Sequence, residues 1–182
     1  MQRNDLLVWI DLEMTSIRDA RIDTITEIAI VLTDKDLNTV AEMENMVVHT
    51  DREFYASRTW TSDPQLEELI DEAAASIITL EEADERARTF LEEHVTPQSS
   101  PLCGNSIHSD RHFMKLQMPR FESYLFYRCI DVSSIKELAR RWAPAIYEEA
   151  ERRKGVKPHR AKADIINSIE ELKYYRDNFF KL

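Results

Sequence analysis

Glycine is nearly absent: the 182 residues contain two, Gly104 and Gly155. Loops that cradle phosphate against backbone N–H groups need several closely spaced glycines, so P-loop and dinucleotide-binding motifs are missing. Cysteine is equally scarce. Cys103 and Cys129 lie in or beside apolar segments and match no metal-binding or redox spacing, which points to a reduced, cytosolic setting. No apolar run approaches the roughly 20 residues that a membrane helix requires. The start, Met1-Gln2-Arg3-Asn4-Asp5, shows no cleavable signal pattern and is too acidic and too short for a clear transit peptide. A cytoplasmic location is expected, with an organelle left open. Positive charge is in deficit, 24 Lys and Arg against 34 Asp and Glu, for a net charge of −10. Such a balance argues against a long basic groove that grips nucleic acid by its phosphates alone. It leaves room for a metal-dependent enzyme on short substrates, because bound cations supply local positive charge.

What is present reads as a globular α/β chain. A hydrophobic content of 43% is enough for a sizeable core, and the length suits one domain over 1–182. Three strands are expected in the first half: residues 6–14, Thr24 to Thr33, and about Ala41 to His49. Turn chemistry at Asp34-Lys35-Asp36-Leu37-Asn38 separates the last two, as in an antiparallel meander. From Asp63-Pro64 the period becomes helical, with Leu66, Leu69, Ile70 and Ala73 on one face and Asp63 as N-cap. Thr79 and Glu82 form a capping-box pattern for a helix running to about His94. A short strand-to-turn segment at Leu102-Cys103-Gly104-Asn105, a helix near Asp110–Met118, a strand from Tyr127 to Val132 and a helix from Ser133 to Trp142 follow. Charged residues 147–154 read as helical and Gly155 to Pro158 as a break. The last helix, about Arg160 to Phe179, carries Ile165, Ile169, Leu172 and Tyr175 on one stripe. Strands first, then helices interleaved with short strands, predict a mixed sheet flanked by helices.

The first hydrophobic run ends in two acids, Asp11 and Glu13, two positions apart. In a strand both carboxylates stand on one face. At about 4 Å and an effective dielectric near 20 they repel by roughly 4 kcal/mol. Raised pKa values offset that repulsion, and so does a hard divalent cation bound through oxygen. Asp110 near a helix start, Asp164 early in the last helix and His159 just before it extend the set. Five residues at about 100° each put two helical side chains some 140° apart, so His159 reaches Asp164's site only from the loop before the helix. Taken singly, each has an ordinary alternative: solvated acids at a strand end, a helix N-terminal charge, a surface helix residue, a loop histidine. Together they form a consistent set, oxygen ligands for two Mg²⁺ or Mn²⁺ ions and a general base near neutral pH.

Five ordered segments carry a resemblance: Trp9-Ile10-Asp11-Leu12-Glu13-Met14-Thr15; Cys103-Gly104-Asn105-Ser106-Ile107 with Asp110 after it; Tyr127-Arg128-Cys129-Ile130-Asp131-Val132-Ser133; residues 136–142; and His159-x-Ala161-x-x-Asp164-Ile165. In this order and spacing, over nearly the whole chain and most weakly between about 50 and 100, they resemble the oligoribonuclease family. That family belongs to the DEDDh group of 3′→5′ exonucleases with an RNase H-like fold. The resemblance implies that Asp11, Glu13, Asp110 and Asp164 bind the metals and that His159 is the general base. It further implies a cap on the substrate's 5′ phosphate at Ser106, Arg128 and Ser133. Tyr127 would be an aromatic stacker contributed by the second subunit of a homodimer, Ile17 an apolar wedge between bases, and Trp60 a base or sugar contact. The implied activity is cleavage of oligoribonucleotides, dinucleotides especially, to 5′-mononucleotides. The nearest rival is a related exonuclease on longer RNA or on DNA, and the rival from another class is a non-catalytic module that binds RNA ends. Departures lie around the substrate: Ser16 stands where the family has glycine, Ile17 where it has leucine, and Ala163 replaces an acidic residue. The segment between Trp60 and Leu66 is short and lacks a histidine.

Overall fold

Strand β1 (Leu7–Met14) is the middle of the sheet and sets the direction of everything around it. This computed structural model describes residues 1–56, 64–153 and 160–181. On one side β1 pairs antiparallel with β2 (Ile25–Thr33), and β2 pairs antiparallel with β3 (Thr39–Glu42) and with the short β4 (Met46–Val47). On its other side β1 runs parallel to β5 (Leu102–Gly104), which runs parallel to β6 (Cys129–Asp131). The order β3-β2-β1-β5-β6, with β4 beside β2, makes a mixed six-stranded sheet.

Helices cover both faces, which is why β2 is buried at all nine positions and reads as a nearly continuous apolar run. The helices are α1 (Arg52–Ala56), α2 (Pro64–Ala75), α3 (Leu80–His94), α4 (His108–Gln117), α5 (Pro119–Glu122), α6 (Val132–Trp142), α7 (Pro144–Arg153) and α8 (Ala161–Asn178). Val8, Ile10 and Leu12 pack with Ile28, Ile30 and Leu32 against Ala87 and Leu91 of α3, Phe113 and Met114 of α4, and Phe121 of α5. The opposite face, with Trp9, Ala29 and Val31, packs against Val132 and Ala139 of α6, Ala150 of α7, and Ile165, Ile169 and Tyr175 of α8. The indole N–H of fully buried Trp9 donates to Thr33 Oγ1 at 2.9 Å, so the largest core side chain leaves no polar group unpaired. Alternation along β1 therefore puts Asp11 and Glu13 on the face that α8 covers.

The main elements agree with the sequence pattern, and the differences have local causes. The expected strand Ala41–His49 is two pieces, because Asn45 turns inward and its amide donates to Glu27 Oε1 at 3.3 Å. The strand expected from Tyr127 is only Cys129–Asp131, since the carbonyls of Phe126 and Tyr127 accept from the Arg111 side chain instead of a ladder partner. Helix α4 starts at His108, two residues early, after an Ile107 N-cap that offers no side-chain signal. Thr79 caps α3 by accepting the Glu82 N–H at 3.1 Å, while the Glu82 carboxylate pairs with Arg86 rather than completing the box. The expected Asp63 cap and the break at Gly155 to Pro158 lie outside the described residues. Helices α1 and α5 are too short to leave a period.

A buried acid organises α5. Asp84 of α3 is 3% exposed, and its carboxylate accepts the N–H groups of Arg120 at 3.1 Å and Phe121 at 2.8 Å. Asp84→Ala leaves both donors unpaired and is expected to lower the unfolding free energy by about 1–3 kcal/mol, with a smaller loss for Asp84→Asn. Denaturant titration of the two variants checks this, and equal stability of both with the parent would contradict it.

Candidate active site

Three acids meet where β1 passes under α8. One carboxylate oxygen from each of Asp11, Glu13 and Asp164 lies within 4.8 Å of the others. Asp11 and Glu13 share a face through strand alternation, and Asp164, the fourth residue of α8, comes down on it through the first turn of the helix. Asp110 approaches from α4. Its carboxylate is 6% exposed and accepts the N–H of Leu12, the residue between the two β1 acids, at 3.0 Å. Elements far apart in sequence thus deliver four carboxylates to one end of β1.

The electrostatics are those of crowded anions. Burial pushes the Asp11 carboxyl well above its ordinary range, and the charges of Asp110, Glu13, Asp164 and Glu27 push it further. Glu13 is raised to about 8, by burial first and then by Asp164, Glu27 and Asp110. Asp110 is raised to about 7 by burial, against the lowering effect of its bond from Leu12 N–H. Arg160 offsets the charge on Glu13 only in part, because its guanidinium is engaged elsewhere. Converging oxygen donors with an unbalanced negative charge fit a hard divalent cation better than any other partner, and the site is that of a divalent-metal enzyme.

Two residues outside the sequence reading build the site's frame. Glu27 sits opposite Glu13 in the β1–β2 register and is wholly buried. Its carboxylate accepts from Arg160 Nη2 at 3.0 Å and from the Ala161 N–H at 2.9 Å, capping the first turn of α8 from another element. Arg160 also reaches Glu72 of α2, Nη2 to Oε2, at 2.7 Å. The signal was present in the sequence as one acid inside the apolar run Ile25–Thr33. Without a partner in view, it carried no role.

A second cluster lies beyond β5. Ser106 has φ 51, in the left-handed region that non-glycine residues avoid at roughly 1–2 kcal/mol. Its N–H meets Asp131 Oδ1 at 2.9 Å and Ser133 Oγ at 3.0 Å, and the two serine hydroxyls stand 3.1 Å apart. Asp131 also caps α6 by accepting the Ser133 N–H at 3.0 Å. Asn105 braces the pair, accepting from Ser133 Oγ at 2.9 Å and donating to Ser168 Oγ at 2.9 Å on α8. The structure therefore brings Ser106 and Ser133 together at the N-terminus of α6, a place suited to a phosphate. Arg128 is engaged with Tyr127 instead, Nε to the phenol oxygen at 3.0 Å. Tyr127 and Ile17 are 69% and 71% exposed. Ser16 is not in the left-handed region, and its hydroxyl accepts the Arg18 N–H at 3.2 Å. Trp60 and His159 lie outside the described residues.

Known proteins give the same direction. The family model RNase_T, described as exonuclease, matches residues 8–172. The oligoribonuclease of Azoarcus is 45% identical over 178 residues, covering 97% of this chain and 96% of that protein. The oligoribonuclease of Pseudomonas aeruginosa is 44% identical over 184 residues and covers 100% of both chains. Among solved structures, E. coli exonuclease I in complex with a dA16 oligonucleotide gives a TM-score of 0.70 at 14% identity over 95% of this chain. The chain spans 41% of that protein's length, and the likeness at this identity concerns the fold.

Without a cation, Glu13 and Asp110 bind protons near pH 8 and 7, whereas the same groups in the open chain titrate near 4.5 and 3.8. The folded state thus holds protons more tightly. That stabilisation is complete below the open-chain values and is lost as pH rises through the folded ones. The melting temperature of metal-free protein is expected to fall from about pH 5 to about pH 8.5, and saturating Mn²⁺ to restore it most at the alkaline end. Calorimetry with and without the ion checks this; a metal-free melting temperature that rises over the interval is the contrary result.

Proposed function

The chain belongs to the oligoribonuclease family of exonucleases, and from that membership we propose a two-metal-ion hydrolysis in which Asp11, Glu13, Asp110 and Asp164 hold Mg²⁺ or Mn²⁺ and His159 is the general base. Its fold is the RNase H-like α/β arrangement, and its activity is 3′→5′ exoribonuclease, a metal-dependent phosphodiester hydrolysis. The observation that carries the site assignment is the convergence of Asp11, Glu13 and Asp164 within 4.8 Å, with Asp110 bonded to the backbone between the first two.

Held by Asp11, Glu13, Asp110 and Asp164, such ions would supply the positive charge that eases removal of a proton from water and offsets charge building on the phosphate and the 3′ oxygen. His159 takes the proton from that water. It immediately precedes Arg160, and the grip of Glu27 and Glu72 on Arg160 fixes the chain next to it. Glu27 keeps the first turn of α8 seated, so Asp164 faces β1. Ser106 and Ser133 hold the substrate's 5′ phosphate, with Arg128 adding charge, and Ile17, Trp60 and Tyr127 contact bases. A cap of this kind admits two to a few nucleotides and needs no long basic groove, in keeping with the net charge of −10. The products are 5′-mononucleotides.

A homodimer completes the site in this reading, with Tyr127 reaching into the partner's substrate. Leu138 and Trp142, one turn apart on α6, are exposed along with Tyr127 and would be covered by a second copy. A cytoplasmic location fits the two free cysteines, and among the described residues no helix is long and apolar enough to cross a membrane.

Purified protein with Mn²⁺ is expected to cut a labelled diribonucleotide and to lose efficiency as the substrate lengthens. Activity that rises with length would point to the longer-RNA or DNA reading, and an uncut diribonucleotide would leave a binding module. Asp11→Ala is expected to lower kcat by roughly a thousandfold or more. His159→Ala is expected to lower it by about 10²–10⁴. Single-turnover cleavage of the diribonucleotide measures both.

A further inference from the structure

Arg111 follows Asp110 on α4 and faces away from the carboxylates. Its side chain is 11% exposed and pairs with a similarly sheltered Glu122, Nε to Oε1 at 3.0 Å. Nη2 donates to the Phe126 carbonyl at 3.0 Å and Nη1 to the Tyr127 carbonyl at 2.9 Å. The Arg128 carbonyl at 3.4 Å and Cys129 Sγ at 3.3 Å also lie within reach of Nη1. Four consecutive residues, 126–129, therefore hang on one guanidinium, whose planar fork fixes direction as well as distance. Backbone bonds hold the same stretch at two further points where it enters β6. The Phe126 N–H donates to the Ser100 carbonyl at 3.1 Å, and the Arg128 carbonyl accepts the Leu102 N–H at 3.2 Å.

We propose that Arg111 is a positioning residue for substrate grip: by holding the 126–129 backbone it sets Tyr127 and Arg128, and it ties that edge to the turn of α4 that carries Asp110. This rests on the reading of Tyr127 and Arg128 as substrate contacts. The same stretch leads into Asp131 and Ser133, so its placement also bears on the serine pair that would take the 5′ phosphate. The hydrogen bonds of the guanidinium go to Glu122 and residues 126–129, with none to the metal-site acids. Its loss therefore loosens the hold on a short substrate more than it slows the bond cleavage. Lysine keeps the charge at this position but cannot serve several carbonyls in one plane.

The test uses full-length Arg111→Gln and Arg111→Lys with Mn²⁺, a 5′-phosphorylated diribonucleotide and a longer oligoribonucleotide, with kcat and KM separated and thermal melts recorded. Arg111→Gln is expected to raise the dinucleotide KM about tenfold or more, the scale expected when one charge-assisted hydrogen bond to the substrate is removed. Its kcat stays within about threefold of the parent, because uniform binding rather than transition-state stabilisation is removed. Arg111→Lys shows the same shift at smaller size, and it carries the test if Arg111→Gln fails to fold. The longer RNA is affected less, so the preference for the dinucleotide narrows. A fall in kcat at unchanged KM, or parent values of both constants in folded Arg111→Lys and Arg111→Gln, overturns the proposal. Parent protein that cuts only the longer RNA refutes the short-substrate reading instead, and the KM shift on that RNA then decides the role of Arg111.

Discussion

Like charges held together against their repulsion are the constraint around which this molecule is arranged. Asp11 and Glu13 stand on the helix-covered face of β1, where burial already disfavours their ionised forms. Asp164 and Asp110 are added from two further helices rather than a lysine or arginine. The nearby cation, Arg160, is drawn off by Glu27 and Glu72, which keeps it a strut instead of a counter-ion for the site. Such a cluster persists because the two hydrophobic cores on either side of the sheet fix the backbone that carries it. The stored electrostatic cost becomes affinity for a divalent cation.

The frame is built from polar groups bridging elements that are distant in sequence. Glu27 links β2 to the start of α8, Asn105 links the end of β5 to α6 and α8, and Asp84 links α3 to α5. Each uses a carboxylate or amide to satisfy donors that a helix start or a tight turn would otherwise leave unpaired. At Ser106 the backbone accepts a left-handed conformation because Asp131 and Ser133 receive its N–H. Strain and compensation lie side by side, next to the position proposed for the substrate phosphate.

Adjacent residues on α4 divide two tasks. Asp110 turns toward the acids of β1, and Arg111 turns toward residues 126–129. Residues consecutive on a helix point about 100° apart, so one turn of backbone serves both the acidic cluster and the 126–129 edge. The division suits an acidic protein. In the proposed reading, attraction for RNA would be confined to the metal centre and a small cap, in keeping with the net charge of −10.

Much of this was legible in the residues. Strand alternation alone put Asp11 and Glu13 on one face, and helical periodicity predicted which stripe of α8 meets the sheet, as Ile165, Ile169 and Tyr175 do. The Thr79 cap and the first two strands follow from local chemistry, in which the interacting groups are only a few residues apart. Short elements such as α1, α5 and the broken β3–β4 edge left no period to read. Glu27, Arg160, Asp84 and Arg111 looked like ordinary charged residues, because their partners lie 18 to 134 positions away for the first three and 11 to 18 away across a turn for the last. The sequence by itself determined the alternation, the amphipathic faces and the supply of acids, all properties of a few neighbouring residues. Only the tertiary structure decided which acids meet, which two engage Arg160 and which arginine holds residues 126–129, since those follow from distances that exist only once the sheet is covered on both sides.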